Sequence, residues 1–127
     1  MHEATIARSI LNIVEKRIES LGPYARALRV EILCGEFRNV DPESLGFAFD
    51  SMKECSDSTA DCRLDINLIK ATARCTNQHI YQPIGELAYR CPHCDGGIEK
   101  MLQGEELDVV NVVVEVEKGE QQHARVT

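Results

Sequence analysis

The sequence lacks three features that would place it in large functional classes. It has no apolar run that approaches the roughly 20 residues required by a membrane-spanning helix. It has no excess of basic residues, because 14 Lys and Arg stand against 21 Asp and Glu for a net charge of -7. It has no basic segment followed by an apolar core near its start, as a signal peptide would. These absences disfavour a membrane protein, a nucleic-acid binder and a secreted protein, and they predict a cytoplasmic one.

Catalytic patterns are missing as well. The sequence has no glycine-rich loop that could hold a phosphate, and no group of side chains completes a nucleophilic or acid–base arrangement. We therefore expect a protein that is not an enzyme. Its 127 residues are enough for one ordinary domain, or for a small core with an added metal-stabilised module.

The regular part of the sequence predicts an α+β fold with two helices and a small antiparallel or mixed sheet of about three strands. Apolar residues recur at helical spacing from Ala4 to Leu21. Asp41 followed by Pro42 is typical of an N-cap and first helical residue, and it predicts a second helix that runs to about Lys53. Alternating apolar residues predict strands at Ala27–Cys34, Leu64–Leu68 and Leu107–Glu117.

The segment before the last strand has a different composition. Residues 73–103 are rich in Cys, His, Pro and Gly and poor in large apolar side chains, so they cannot bury a core of their own. We interpret them as a zinc-knuckle or zinc-ribbon module inserted into an α+β domain made of residues 1–72 and 104–118. Residues 119–127 are polar and predict a flexible tail.

Three cysteines of this module have the spacing of zinc ligands. Cys91 and Cys94 form a CxxC knuckle, and Cys75 lies upstream at a separation suited to a second, facing knuckle. In a reducing compartment such cysteines are metal ligands more often than disulfides. The upstream knuckle has Gln78 where a second cysteine is expected, and a neutral amide is a poor zinc ligand. We therefore predict a structural zinc site of three cysteines and one histidine, with His79 as the fourth ligand.

Other interpretations of the module stay open at this point. His93 and Cys62 are reserve ligands for the same ion. Cys75 could instead be an ordinary thiol beside a CPHC turn without metal, although so polar a segment is not expected to order itself unaided. A redox-active CxxC pair is disfavoured, because no helix is predicted after Cys91 that would lower the pKa of its thiol.

The first three residues, Met1, His2 and Glu3, offer several metal donors. The α-amine, the amide nitrogen of His2 and its imidazole can chelate one ion in adjacent rings, and such nitrogen donors suit Ni(II) or Cu(II). Glu3 adds a carboxylate next to them. The alternative is that His2 and Glu3 merely begin the helix, with Glu3 favoured by the helix dipole. Asp41 has the same ambiguity, since it can act as an N-cap alone or lean toward the same ion.

Taken together, these motifs resemble the HypA/HybF family of hydrogenase nickel incorporation proteins. The resemblance rests on MHE at the start of the first helix, on GEFRNVDPESLGFAFD, and on ARC followed by CPHC before a valine-rich strand. It extends to about Lys118. It implies a nickel metallochaperone that helps to load Ni(II) into the large subunit of nickel–iron hydrogenase. The implied partners are the HypB-type GTPase and, in some organisms, urease accessory proteins, with the chaperone itself a monomer or weak homodimer.

The resemblance implies a transient nickel site and a structural zinc site. The nickel ligands that it implies are Met1, His2 and Glu3, with Asp41 at an acidic position implicated in some members. The zinc ligands that it implies are Cys75, Cys91 and Cys94. The fourth cysteine of the family falls on Gln78, so this sequence departs from the family pattern at that ligand.

A competing hypothesis from another class is a zinc-ribbon module that binds other proteins and has no nickel chemistry. This hypothesis gives no role to the first three residues.

Two further cysteines, Cys55 and Cys62, match no family ligand, and Cys34 is most simply a small core side chain.

Overall fold

The computed structural model describes residues 2–83, 89–116 and 120–124, the last group by its backbone alone. The chain forms two compact units. The first comprises the described residues of Met1–Ile32, Val40–Asn67 and Asp108–Thr127, and the second those of Leu33–Asn39 and Leu68–Leu107. The second unit thus contains the predicted zinc module, residues 73–103, and extends beyond it on both sides.

Two α-helices, one short 3-10 helix and seven strands make up the described fold. In chain order they are α1 (His2–Glu19), β1 (Arg26–Gly35), the 3-10 helix (Glu36–Arg38), α2 (Pro42–Lys53), β2 (Arg63–Ile69), β3 (Thr72–Cys75), β4 (Ile80–Tyr81), β5 (Ile98–Gln103), β6 (Leu107–Val116) and β7 (Glu120–Ala124). The predicted α+β class with two helices is confirmed. Helix α1 begins at His2, two residues before the start that the apolar pattern predicts, and its first turn includes Glu3.

Local sequence explains where α1 ends and where α2 begins. The chain leaves α1 through Gly22, whose φ of +107° lies in a region that glycine adopts without strain. Asp41 is the N-cap of α2, since its side chain accepts a hydrogen bond from the backbone N–H of Glu43, and Pro42 follows at the first helical position. The predicted cap is therefore confirmed.

The core of the first unit lies between these helices and the sheet. Apolar side chains of α1 and α2 pack with strand residues of β1 and β6 in one buried cluster. Its largest fully buried members are Leu11, Val14, Leu45, Phe49, Val30, Ile32, Val112 and Val114. Burying side chains of this size stabilises a fold by about 1.5–3 kcal/mol each.

The sheet that carries this core has four strands in the order β2-β1-β6-β7. The fourth strand, β7, pairs antiparallel with β6, from Val112 opposite Ala124 to Val116 opposite Glu120. This differs from the expected three strands and from a loose tail after residue 118. Apolar and polar residues do not alternate in β7, so the sequence has no pattern that would predict this strand.

The second unit has its own sheet and its own small core. Its three strands follow the order β4-β3-β5, and both pairings are antiparallel. Ala73, Cys75, Tyr81 and Cys91 form a buried cluster, so two of the predicted zinc ligands are core residues of this unit.

Backbone segments of the second unit also approach each other closely at two glycines. The backbone N–H of Gly35 donates to the carbonyl of Glu106 over 2.6 Å, and a Cβ at Gly35 would overlap the carbonyl of Gly104. Gly104 itself has a φ of +112°. Both positions therefore require glycine.

Within the described parts of the chain, no helix is long and apolar enough to cross a membrane.

Candidate metal centre

The first half of the metal centre is a tight hairpin between β3 and β4. The backbone N–H of Cys75 donates to the carbonyl of His79, and that of Gln78 donates to the carbonyl of Cys75, both over 2.9 Å. Gln78 has a φ of +70°, in the left-handed region. A three-residue loop that ends in a left-handed residue is a common hairpin connection. It sets Cys75 and His79 opposite each other at the base of the loop, with Gln78 as the residue that makes the turn.

The second half is a longer loop around the CPHC sequence. The backbone N–H of Asp95 donates to the carbonyl of Cys91, and that of Cys91 donates to the carbonyl of Gly96, both over 2.8 Å. Asp95 takes the left-handed conformation with a φ of +61°. A Cβ at Gly96 would lie 2.9 Å from Oγ1 of Thr76 and 3.2 Å from Sγ of Cys94, so glycine lets the two loops approach.

These loops bring together the four side chains that the sequence analysis predicts as zinc ligands. One donor atom from each of Cys75, His79, Cys91 and Cys94 lies within 4.8 Å of the others. Sγ of Cys75 is 3.7 Å from Sγ of Cys94, and Nδ1 of His79 is 3.5 Å and 3.6 Å from the sulfurs of Cys75 and Cys91.

Three of the donor–donor separations match those around a tetrahedral zinc ion. Usual Zn–S and Zn–N bond lengths place two ligand sulfurs about 3.8 Å apart, and a sulfur and a nitrogen about 3.6 Å apart. Three thiolates and one imidazole are also a donor set that zinc prefers. The donor set therefore fits a structural zinc ion, with Nδ1 as the nitrogen that faces it.

Backbone N–H groups surround the ligand sulfurs. Sγ of Cys75 accepts hydrogen bonds from the backbone N–H groups of Asn77 and His79, each over 3.3 Å. Sγ of Cys91 accepts one from the backbone N–H of His93 over 3.3 Å. Such donors stabilise the ionised thiolate, which is the form that binds metal.

The third sulfur, Sγ of Cys94, is in a more polar environment. The side chain of Asn77 donates to it over 3.3 Å, and this bond, with the backbone N–H of Gly96, lowers the pKa of Cys94 to about 6. Burial instead raises the pKa of Cys91 above its usual range. The donors around Cys94 thus favour its thiolate form, which is the form that binds metal.

The two reserve ligands are not among the four clustered donors. Cys62 lies fully buried in the core of the first unit, where burial raises the pKa of its thiol to about 11. Its place as a reserve zinc ligand is therefore wrong, because the apolar core holds it as a neutral thiol. His93 is not in the cluster of donor atoms, although its ring centroid lies 5.4 Å from that of His79. Asn77 is a further residue of the site that the sequence does not indicate, because its contact with the sulfur of Cys94 depends on the shape of the loop.

The predicted nickel residues lie at the start of α1 and of α2. Met1 falls outside the described residues. The imidazole of His2 is 54% exposed, whereas the side chain of Glu3 is 13% exposed. Oε2 of Glu3 accepts a hydrogen bond from the backbone N–H of Asp41 over 3.1 Å, and this bond is the main reason that the pKa of Glu3 falls to about 2. The structure thus brings Glu3 and Asp41 together and leaves His2 accessible.

The carboxylate of Asp41 is already engaged by its own helix. Oδ1 accepts from the backbone N–H of Glu43 over 3.1 Å, and Oδ2 accepts from the hydroxyl of Ser44 over 2.9 Å. Each carboxylate oxygen has further lone pairs, so a metal contact is still chemically available.

Known proteins of one family are similar to this chain in sequence and fold. The sequence profile described as hydrogenase/urease nickel incorporation, metallochaperone, HypA matches residues 1–114. The hydrogenase maturation factor HypA of Parabacteroides distasonis is 33% identical over 118 residues, which cover 92% of this chain and 100% of that protein. The hydrogenase maturation factor HybF of Klebsiella pneumoniae is 32% identical over 110 residues, covering 86% and 95%.

A solved structure supports the fold. The solution structure of the Ni metallochaperone HypA from Helicobacter pylori superposes with a TM-score of 0.60 and covers 88% of this chain and 96% of that one. Its sequence identity of 24% makes this a likeness of fold alone. With the match of the family profile and the two relatives, the chain belongs to the HypA family of metallochaperones for nickel incorporation into hydrogenase and urease.

Proposed function

We propose that this chain binds Ni(II) through the Met1 amine, the amide and imidazole nitrogens of His2, and Glu3, with Asp41 beside them. The observation that carries the proposal is the hydrogen bond from the backbone N–H of Asp41 to Glu3, which fixes one carboxylate next to an exposed imidazole. The bond also lowers the pKa of Glu3 to about 2, so its carboxylate is fully ionised at neutral pH, as an ordinary glutamate is. A carboxylate that stays charged is a ready partner for a divalent cation.

Such a site favours transfer of its cargo over permanent storage. Nitrogen donors at one end of a chain suit Ni(II) and leave coordination positions open for the ligands of an acceptor. The exposed imidazole of His2 can be replaced by an incoming ligand without opening the core of the protein. Nickel is therefore delivered by exchange of ligands within a complex of two proteins.

The partners that follow from this role are other members of a maturation pathway. We propose the HypB-type GTPase as the partner in nickel delivery and the large subunit of nickel–iron hydrogenase as the acceptor. Urease accessory proteins are a second class of partner, since the family description includes urease. The chain acts in the cytoplasm as a monomer or weak homodimer and catalyses no reaction of its own.

We further propose that Cys75, His79, Cys91 and Cys94 together hold one structural zinc ion. Among the described residues of the second unit, the buried cluster is small and already includes Cys75 and Cys91. A metal bond to these residues adds stability that so small a core does not supply. With all four positions filled by protein, the ion has no open position for catalysis.

Nickel titration of four proteins tests the nickel site. Calorimetry would compare the unaltered chain, His2→Ala, a variant with two residues added before Met1, and His93→Ala as a control for an exposed histidine elsewhere. We expect the first two variants to lose affinity by about tenfold or more, because each removes nitrogen donors, while the control keeps it. Equal affinity in all four proteins would overturn the proposal.

Metal analysis and X-ray absorption test the zinc site. Protein purified without added metal should contain one zinc per chain, with a coordination shell of three sulfurs and one nitrogen. His79→Ala should weaken zinc retention, and Gln78→Ala should leave it unchanged. Four sulfurs in the shell, or a stable second unit without zinc, would contradict the assignment.

A further inference from the structure

Asn77 contacts the sulfurs of both halves of the metal centre. Its backbone N–H donates to Sγ of Cys75, and Nδ2 of its side chain donates to Sγ of Cys94, each over 3.3 Å. Cys75 and Cys94 belong to different loops, separated by 19 residues. Asn77 therefore links the two loops across one edge of the donor cluster, with no covalent or metal bond needed for the link.

The sulfur that receives the side-chain bond is the most accessible of the three. Cys75 and Cys91 are 0% and 2% exposed, whereas Cys94 is only partly buried. Among the three sulfurs, chelators and electrophiles therefore reach Cys94 most easily, and the remaining ligand, His79, is exposed as well. A hydrogen bond to a zinc-bound thiolate withdraws charge from the sulfur, which makes it a poorer nucleophile and a poorer site for protonation.

The donors at Cys94 also differ in kind from those at the buried sulfurs. Backbone N–H groups serve Cys75 and Cys91, and the backbone N–H of Gly96 contributes at Cys94. A backbone donor persists after almost any substitution, because every residue except proline carries one. Nδ2 of Asn77 is a side-chain donor, so its contribution can be removed while the loop keeps its own hydrogen bonds.

We infer that Asn77 is a positioning residue of the metal centre, which joins its two loops and slows the loss of zinc through Cys94. The inference rests on the proposed zinc site. It assigns to Asn77 a role in the lifetime of the bound ion, without making it a ligand. The side-chain amide acts through Cys94 and needs no contact with the metal.

The rate of zinc release tests this inference. The zinc-loaded chain would be mixed with excess iodoacetamide and a chromogenic chelator, and release followed by absorbance, for the unaltered chain, Asn77→Ala, Asn77→Asp and Thr76→Ala. Asn77→Asp keeps the size of the side chain but cannot donate. We expect release to accelerate by about three- to tenfold in both Asn77 variants, as loss of one typical hydrogen bond predicts, and by less than about twofold in the Thr76 control.

A spectroscopic measurement separates an electronic role from mere loosening of the loop. In the Co(II)-loaded chain, loss of the donor to Cys94 should move the thiolate-to-cobalt charge-transfer band to longer wavelength in both Asn77 variants and not in Thr76→Ala. Asn77→Asp with the release rate and spectrum of the unaltered chain would overturn the inference, as would equal acceleration in Thr76→Ala. An unaltered chain that holds no zinc would instead overturn the proposed site, so the two failures are distinguishable.

Discussion

The backbone N–H of Asp41 donates to Oε2 of Glu3 over 3.1 Å, across 38 positions of sequence. This bond joins the first turn of α1 to the N-cap of α2. The carboxylate of Asp41 meanwhile caps its own helix through Glu43 and Ser44. Asp41 thus has two roles in the first unit: its backbone N–H holds Glu3, and its side chain caps α2. Only the cap depends on the side chain.

We expect substitutions of Asp41 to change stability more than nickel affinity. Asp41→Ala should lower the free energy of unfolding by about 1 kcal/mol, because it removes the N-cap, and Asp41→Ser should lower it by less than half as much. The nickel dissociation constant of Asp41→Ser should change by less than about threefold, because the backbone N–H to Glu3 remains. Urea unfolding and calorimetry measure the two quantities. A stable Asp41→Ser chain that has lost nickel affinity would instead make Asp41 a ligand.

Two glycines should respond to alanine in opposite directions. At Gly35 a Cβ would overlap the carbonyl of Gly104, so Gly35→Ala should lower the free energy of unfolding by about 1–3 kcal/mol. At Gly46, inside α2, a Cβ would meet nothing within 4 Å, so Gly46→Ala should raise it by about 0.5–1 kcal/mol. Denaturant unfolding of the two variants side by side measures this difference. A Gly35→Ala chain as stable as the unaltered one would contradict the close approach of these backbones.

Substitutions of Gln78 test whether this residue makes the turn or binds the metal. Its φ of +70° strains any side chain with a Cβ, so Gln78→Gly should raise the thermal midpoint of the zinc-loaded chain. Zinc content should stay at one per chain in Gln78→Gly and in the control Gln78→Ala, which keeps the Cβ and loses the amide. Loss of zinc from both variants would show that the amide is a ligand.

Residue chemistry predicts some parts of this structure directly. Asp41 and Pro42 indicate a helix start because only a few residue types cap a helix, and the structure has that cap. Likewise, the preference of zinc for thiolate and imidazole singles out His79 over Gln78, and the structure sets His79 beside the sulfurs of Cys75 and Cys91.

Other parts depend on contacts that leave little trace in the sequence. Strand β7 pairs through its backbone with β6, and strand β5 lies in a segment with few apolar residues, so neither shows an alternating pattern. The contact of Asn77 with Cys94 depends on how two loops meet, which no spacing rule encodes. Pairing between distant strands and the conformation of the loops therefore determine the parts of the structure that periodicity and ligand chemistry do not predict.

The buried thiol of Cys62 should make stability depend on pH in the alkaline range. Burial raises the pKa of this thiol from 9.0 to about 11, so the folded chain holds its proton more tightly than the unfolded chain does. Its contribution to stability is then complete below pH 9, falls as the pH rises toward about 11, and is constant above that value. Urea unfolding of the unaltered chain and of Cys62→Ala between pH 7 and pH 11 should show a difference in free energy that shrinks over this range. Comparing the two proteins cancels the titration of lysines, tyrosines and metal ligands, which both proteins share. A difference in unfolding free energy that stays constant with pH would mean that the core does not keep Cys62 neutral.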